Sequence, residues 1–194
     1  MIGNIEVIAE VKTRSPFGFV SQYSRDYLLD IAIEIGDIIS IPTDPRWGGS
    51  LNHIVEARKR TDKPILAKNI HETDMDLDIA FDAGATYSLV VGRIPDDKYL
   101  NRCMIEPVSL EQLLRIPKDV MVVWNSRDII QSLKLGYEVM RKETFQEARA
   151  SFDGCLCQAS NIKTIVDIKK GADAVLVGTN FPRFAESIGY KIKN

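Results

Sequence analysis

The chain has 194 residues, 45% hydrophobic and 27% charged, which suits one domain over 1–194 with a sizeable buried core. A formal net charge of -2, a pI near 5.8 and no basic run longer than Arg58-Lys59-Arg60 argue against nucleic-acid or membrane-surface binding through bulk charge. A small, partly anionic ligand stays open.

In chain order, Met1-Ile2-Gly3-Asn4-Ile5-Glu6 shows no basic stretch leading into a long apolar one. No later segment approaches the length of a membrane span, so a cytoplasmic protein is expected. Eight short β-branched runs then recur: Ile5–Val11, Asp37–Ile41, Pro64–Lys68, Tyr87–Val91, Cys103–Glu106, Val120–Trp124, Gly154–Gln158 and Ala174–Val177. Between them, apolar residues repeat at three- and four-residue spacing, as in Leu28, Ile31, Ala32 and Ile35, or Leu77, Ala80, Phe81 and Gly84. This alternation predicts a parallel sheet with crossover helices. Val11 leads into Lys12-Thr13-Arg14-Ser15-Pro16 without the glycine-rich turn of a doubly wound sheet. The expected fold class is therefore α/β, a parallel eight-stranded (β/α)8 TIM barrel in short form. Two crossovers look reduced, one through Pro95 and Asp97–Asn101, the other at Leu110–Arg115 before Pro117.

Cys103, Cys155 and Cys157 lack the companions of a structural zinc site and read as reduced, small apolar residues. His53 and His71 are isolated and do not read as metal ligands.

Strand ends carry the chemistry. Ile8, Glu10 and Lys12 share one face of the first strand, opposite Val7, Ala9 and Val11, so Glu10 and Lys12 should point into the mouth of the barrel. Lys68 ends the third strand after four apolar residues, Glu106 ends the fifth, and the sixth runs into Asn125-Ser126-Arg127. A Glu-Lys pair could merely plug a barrel, but catalytic residues of this fold occupy the same end. A desolvated lysine beside a second cation is suited to acid-base work. After the seventh and eighth strands, Ala159-Ser160-Asn161 and Gly178-Thr179-Asn180 supply the small polar residues of an anion nest. Ser160, Thr179 and Asn180 would equally serve as ordinary helix caps.

These motifs together resemble the indole-3-glycerol phosphate synthase family over nearly the whole chain. Ile8-Ala9-Glu10-Val11-Lys12-Thr13-Arg14-Ser15-Pro16 resembles its first strand and following loop. Thr43-Asp44-Pro45-Arg46-Trp47-Gly48-Gly49-Ser50-Leu51 resembles the loop after its second strand, and Pro64–Asn69 its third strand. Asn125-Ser126-Arg127-Asp128 and Gly171–Gly178 match the sixth and eighth, the last a motif common to phosphate-binding barrels.

The resemblance implies a carboxy-lyase of tryptophan biosynthesis. It would close the indole ring of 1-(2-carboxyphenylamino)-1-deoxyribulose 5-phosphate with loss of carbon dioxide and water, using neither cofactor nor metal. It implies Lys68 as general acid, Lys12 near the substrate carboxylate and held by Glu10, Glu106 as general base and Asn125 orienting a hydroxyl. Ser15, Arg127, Ser160, Gly178 and Thr179 would hold the phosphate, and Trp47 and Leu89 would border the anthranilate ring. Trp47 could instead be a surface residue packed on its loop.

The chain departs from the family pattern at three places. The first strand starts within a few residues of Met1, where the family has a helical extension; Ala159-Ser160-Asn161 stands for Glu-Ser-Gly; and Ser15-Pro16-Phe17-Gly18 stands for Ser-Pro-Ser-Gly. Gln158 faces the wrong side of its strand to replace the lost carboxylate. Two other expectations follow, a weakened barrel serving as a ligand- or partner-binding subunit, and a related sugar-phosphate isomerase or lyase. A partner chain or a second copy is compatible with the outer helices.

Overall fold

Strands form where aliphatic and β-branched residues run together, because such side chains fit a pleated surface buried on both faces. The computed structural model describes residues 5–192; the expectation that residues 1–4 begin no leader lies outside them. The strands are β1 (Glu6–Glu10), β2 (Ile38–Pro42), β3 (Ile65–Lys68), β4 (Tyr87–Val91), β5 (Cys103–Glu106), β6 (Val122–Asn125), β7 (Leu156–Ala159) and β8 (Ala174–Val177). Each pairs in parallel with the next, and β8 returns to β1 through Glu6↔Ala174 to Ala9↔Val177, closing the barrel. The expected (β/α)8 barrel is thus the fold.

The helices are α1 (Arg25–Ile35), α2 (Leu51–Arg58), α3 (Asp74–Asp82), α4 (Leu110–Leu113), α5 (Ile129–Leu135), α6 (Phe145–Ser151) and α7 (Phe181–Ser187). Ser24 caps α1 by accepting from Tyr27 N–H, and reciprocal capping boxes start α3 (Thr73, Asp76) and α6 (Thr144, Glu147). Val7, Ala9, Val11, Val175 and Val177 point outward onto Leu28, Ile31 and Ala32 of α1 and Phe181 and Phe184 of α7. Ile8, Leu66, Leu89, Met104, Val123, Cys157 and Leu176 fill the interior. Burial of each large aliphatic or aromatic side chain contributes roughly 1.5–3 kcal/mol, so the period-two alternation fixes which residues reach the mouth.

The connection before β5 is a 3-10 turn, Asp97–Arg102, and α4 is one turn long, both as their prolines predict. The reduced connection between β7 and β8 was not foreseen; it holds only the 3-10 turn Ile165–Asp167. There the Asp167 carboxylate accepts from the N–H groups of Lys163 and Thr164. Gln158, facing outward, donates to the Asp167 carbonyl (3.1 Å) and accepts from Lys169 N–H (2.7 Å). Side chains therefore satisfy backbone groups that a helix would have paired internally. Among the described residues no helix is long and apolar enough to cross a membrane.

Candidate active site

The alternation that sends Ile8, Leu66, Met104 and Val123 into the interior also sends Glu10, Lys68, Glu106 and Asn125 there, one step nearer the C-terminal mouth. Lys68 Nζ donates to Glu10 Oε1 at 2.9 Å. Asn125 Nδ2 donates to Glu106 Oε1 at 3.0 Å. Lys12 lies in the same mouth, yet its ammonium donates to Thr179 Oγ1 at 3.0 Å and sits 5.5 Å from the centre of the Phe19 ring. The direct partner of Glu10 is therefore Lys68, and Lys12 is held by the loop after β8.

Burial and mutual charge separate these groups. Burial pushes the Glu10 carboxyl up, but Lys68 and Lys12 outweigh it and hold the carboxyl below its ordinary range. Glu106 is as deeply buried, and there desolvation wins over Lys68 and the Asn125 donor, raising its carboxyl. Burial, helped by the neighbouring cations Lys68 and Arg127, brings Lys12 down to about 8 against the pull of Glu10. Two carboxylates and a lysine are thus tuned in different directions within one mouth, the arrangement that separates acids from bases.

The mouth has two chambers that share Glu10, Trp47, Lys68, Glu106, Asn125 and Ile129. One, about 630 Å³ of space open toward solvent, adds Lys12, Arg127, Ser160, Gly178 and Thr179. Arg127 pairs with Glu138 at 3.2 Å, while its Nε is buried without a hydrogen-bond partner among the described residues. The other chamber is walled by Pro42, Ile70, Leu89 and Val91, with Asp44 and Asn69 at its edge. Trp47 stands edge-on to Phe17, ring centres 6.4 Å apart. Its loop lies close because Gly48 and Gly49 carry no Cβ: one would meet Thr13 Oγ1, the other the Pro42 carbonyl.

Eleven of the twelve expected site residues line these chambers. The exception is Ser15, whose hydroxyl turns into its own loop and accepts from Phe17 and Phe19 N–H. The Ser160 hydroxyl points inward and donates to Asn125 Oδ1 at 2.6 Å. Gly178 matters for space, since a Cβ there would lie 1.9 Å from Glu10 Oε2. Gln158 faces away from the mouth, as expected, and Ala159 brings only a methyl group to it. Phe19, Ile70, Ile129 and the Lys12–Thr179 contact were missed. Ile70 follows Lys68 by two residues and was legible in principle; Ile129 opens α5, and Phe19 and the Lys12–Thr179 contact belong to loops with no periodic signal. His71 is buried, its Nδ1 2.6 Å from the Leu89 carbonyl. The three cysteines are free thiols. Among the described residues no cluster of His, Cys, Asp and Glu is placed to hold a metal ion.

No protein-family model matches the chain. It is 28% identical to the indole-3-glycerol phosphate synthase of Sulfurisphaera tokodaii over 89% of its own length and 76% of that protein. Identity to the synthase of that name from Nautilia profundicola is 26%, covering 91% of this chain and 75% of the relative. For the Bacillus velezensis synthase it is 26%, covering 92% and 79%. A solved 3-hexulose-6-phosphate synthase superposes with a TM-score of 0.60 at 18% identity, over 95% of this chain and 97% of that one, a likeness of fold alone. In sequence over about nine-tenths of its length, the chain is a divergent relative of the indole-3-glycerol phosphate synthases.

Proposed function

We propose that the protein closes an indole ring from 1-(2-carboxyphenylamino)-1-deoxyribulose 5-phosphate, releasing carbon dioxide and water. The observation that carries this reading is the Lys68–Glu10 pair at the junction of a cationic chamber and an apolar one. Three cations, Lys12, Lys68 and Arg127, face two carboxylates, of which burial raises one toward its neutral form. That excess suits an anionic group, and Arg127 Nε, which has no hydrogen-bond partner among the described residues, is a donor for it. The walls formed by Trp47, Leu89 and Ile70 suit a planar ring.

In this reading the phosphate takes the chamber of Lys12, Arg127 and Thr179, and the aryl ring takes the apolar one. The ribulose carbonyl then lies beside Lys68. The aryl carbon bearing the carboxylate attacks that carbonyl carbon while Lys68 protonates its oxygen. Loss of carbon dioxide restores the aromatic ring. The new hydroxyl leaves as water on a second proton, and Glu106 accepts the proton released as the ring double bond forms. Glu10 keeps Lys68 aimed by accepting from its ammonium.

A second reading, a barrel that binds such a ligand without turning it over, rests on Ala159, which offers the mouth no polar group. Incubation with the carboxyphenylamino substrate, followed by indole fluorescence, decides between them. Product is expected, with Lys68→Ala lowering turnover by roughly 10²-fold or more. Saturable binding with no product at high enzyme concentration would establish the second reading instead.

A further inference from the structure

Asn125 is held from three sides. Its Oδ1 accepts from Ser160 Oγ at 2.6 Å and from Arg127 N–H at 3.0 Å, and its Nδ2 donates to Glu106 Oε1 at 3.0 Å. A backbone N–H can only donate, so the atom facing Arg127 must be the amide oxygen, which leaves the amide nitrogen toward Glu106. Beside an acceptor already identified, the Ser160 hydroxyl is the donor.

The geometry that brings this hydroxyl inward is unusual. Ser160 and Asn161 both have positive φ, 68° and 58°, a left-handed conformation uncommon outside glycine. Two such residues in succession carry backbone strain, and the fold holds them by fastening the turn after β7 to the end of β6. Ser126 N–H donates to the Ala159 carbonyl at 3.3 Å, and Asn161 Nδ2 donates to Ser126 Oγ at 2.9 Å. Ala159 lies across from Asn125 in the ladder and presents no polar atom from its side chain. The hydroxyl of the next residue is the partner that β7 and its turn offer to the Asn125 carboxamide.

We propose that Ser160 is a positioning residue: its hydroxyl locks the Asn125 carboxamide so that the amide nitrogen stays on the Glu106 carboxylate. It acts on the site through Asn125, since its hydroxyl proton is given to the Asn125 amide oxygen. Lys68 from β3, Glu10 from β1, Cys157 from β7 and Arg141, which follows α5, also face Glu106 electrostatically. Those groups stay in place when Ser160 is changed, so the link through Asn125 can be read by itself. The catalytic consequence rests on Glu106 being the base of the proposed reaction; the protonation measurement does not.

The test is a carbon-13 NMR titration of the Glu106 carboxyl in the full-length protein, for wild type, Ser160→Gly, Asn125→Ala and the double variant. Glycine accepts the left-handed backbone, so Ser160→Gly removes the hydroxyl while relieving strain, and its melting temperature should equal or exceed that of wild type. Loss of a donor disfavours the carboxylate, so Ser160→Gly and Asn125→Ala should each move the titration to higher pH. Added to Asn125→Ala, Ser160→Gly should move it no further. Ser160→Asn, which also tolerates left-handed φ and carries a donor, should return it toward wild type. A titration unmoved by Ser160→Gly, or moved equally with and without Asn125, overturns the proposal. With turnover, the acid limb of the kcat profile should move with the titration while KM stays within about twofold. If no substrate is turned over, the reaction assigned above fails and the titration still decides the role of Ser160.

Discussion

A site residue can matter for the room it leaves as well as for the groups it presents, and Gly178 shows this. Its backbone is not left-handed, so alanine is conformationally acceptable there, yet the added Cβ would lie 1.9 Å from Glu10 Oε2 and 2.8 Å from its Cδ. Glu10 is buried and tied to Lys68, so its carboxylate has no cheap alternative position. Gly178→Ala should therefore displace the pair, costing about 1–3 kcal/mol of stability by overpacking. Turnover should fall by about 10²-fold or more through misplacement of Lys68. Urea denaturation and the indole assay read both effects; a variant with wild-type stability and turnover would show that Glu10 has more freedom than its burial implies. Gly178 was expected as part of an anion nest after the eighth strand and, by resemblance, as a phosphate contact; its closeness to Glu10 supplies a further reason for glycine.

At the scale of elements, legibility followed period. Every strand could be read from its β-branched run, and the inward direction of Glu10, Lys68, Glu106 and Asn125 from the two-residue repeat, since one face of each strand must meet the interior and the other the helices. What escaped was whatever a loop decides by itself: the left-handed pair Ser160 and Asn161, the turn of the Ser15 hydroxyl into its own loop, and the grip of Thr179 on Lys12. Such contacts depend on how two loops meet in space, and neither loop encodes the other. The connection between β7 and β8 is the clearest case, because Gln158 was legible as outward-facing but not as the staple of a segment without an α-helix. Gln158→Leu leaves the Asp167 carbonyl and the Lys169 N–H without that partner, so a loss of about 1–3 kcal/mol is expected. Hydrogen exchange should rise at Lys169, while substrate-site residues on the opposite face of β7 keep wild-type protection. Exchange at Lys169 equal to wild type would mean that other groups carry this segment.

Across the whole molecule, two buried charges of the mouth, Lys12 and Glu106, should oppose stability at neutral pH, and Lys12 is the one whose opposition is most easily measured. A buried lysine brought from 10.5 to about 8 corresponds to roughly 3 kcal/mol of disfavoured charge. Below pH 8 the ammonium is charged in both folded and unfolded chains, and the folded state bears the full penalty. Between about pH 8 and 10.5 the folded chain has released a proton that the unfolded chain keeps, so stability rises with pH; above that range the penalty is gone. The carboxylates act at the acid end with opposite signs. Glu10, held low, stabilises the fold above its unfolded value and loses that contribution as pH falls through its folded one. Glu106, held high, favours the fold at low pH and loses that contribution as pH rises through its folded value. Lys12→Met fits the same space without charge. At pH 7 it should stabilise the protein by about 1–3 kcal/mol, less than the full penalty because the Thr179 bond and the attraction to Glu10 are lost with it. It should also flatten the rise in stability between pH 8 and 10.5 and weaken calorimetric binding of inorganic phosphate by tenfold or more. Urea denaturation at pH 7 and pH 10 checks the first two, and a variant less stable at pH 7 that keeps the wild-type slope would place the cost of the charged mouth elsewhere than Lys12. A stabilised variant with lost anion affinity would identify Lys12 as a residue that this barrel retains for binding at the expense of its fold.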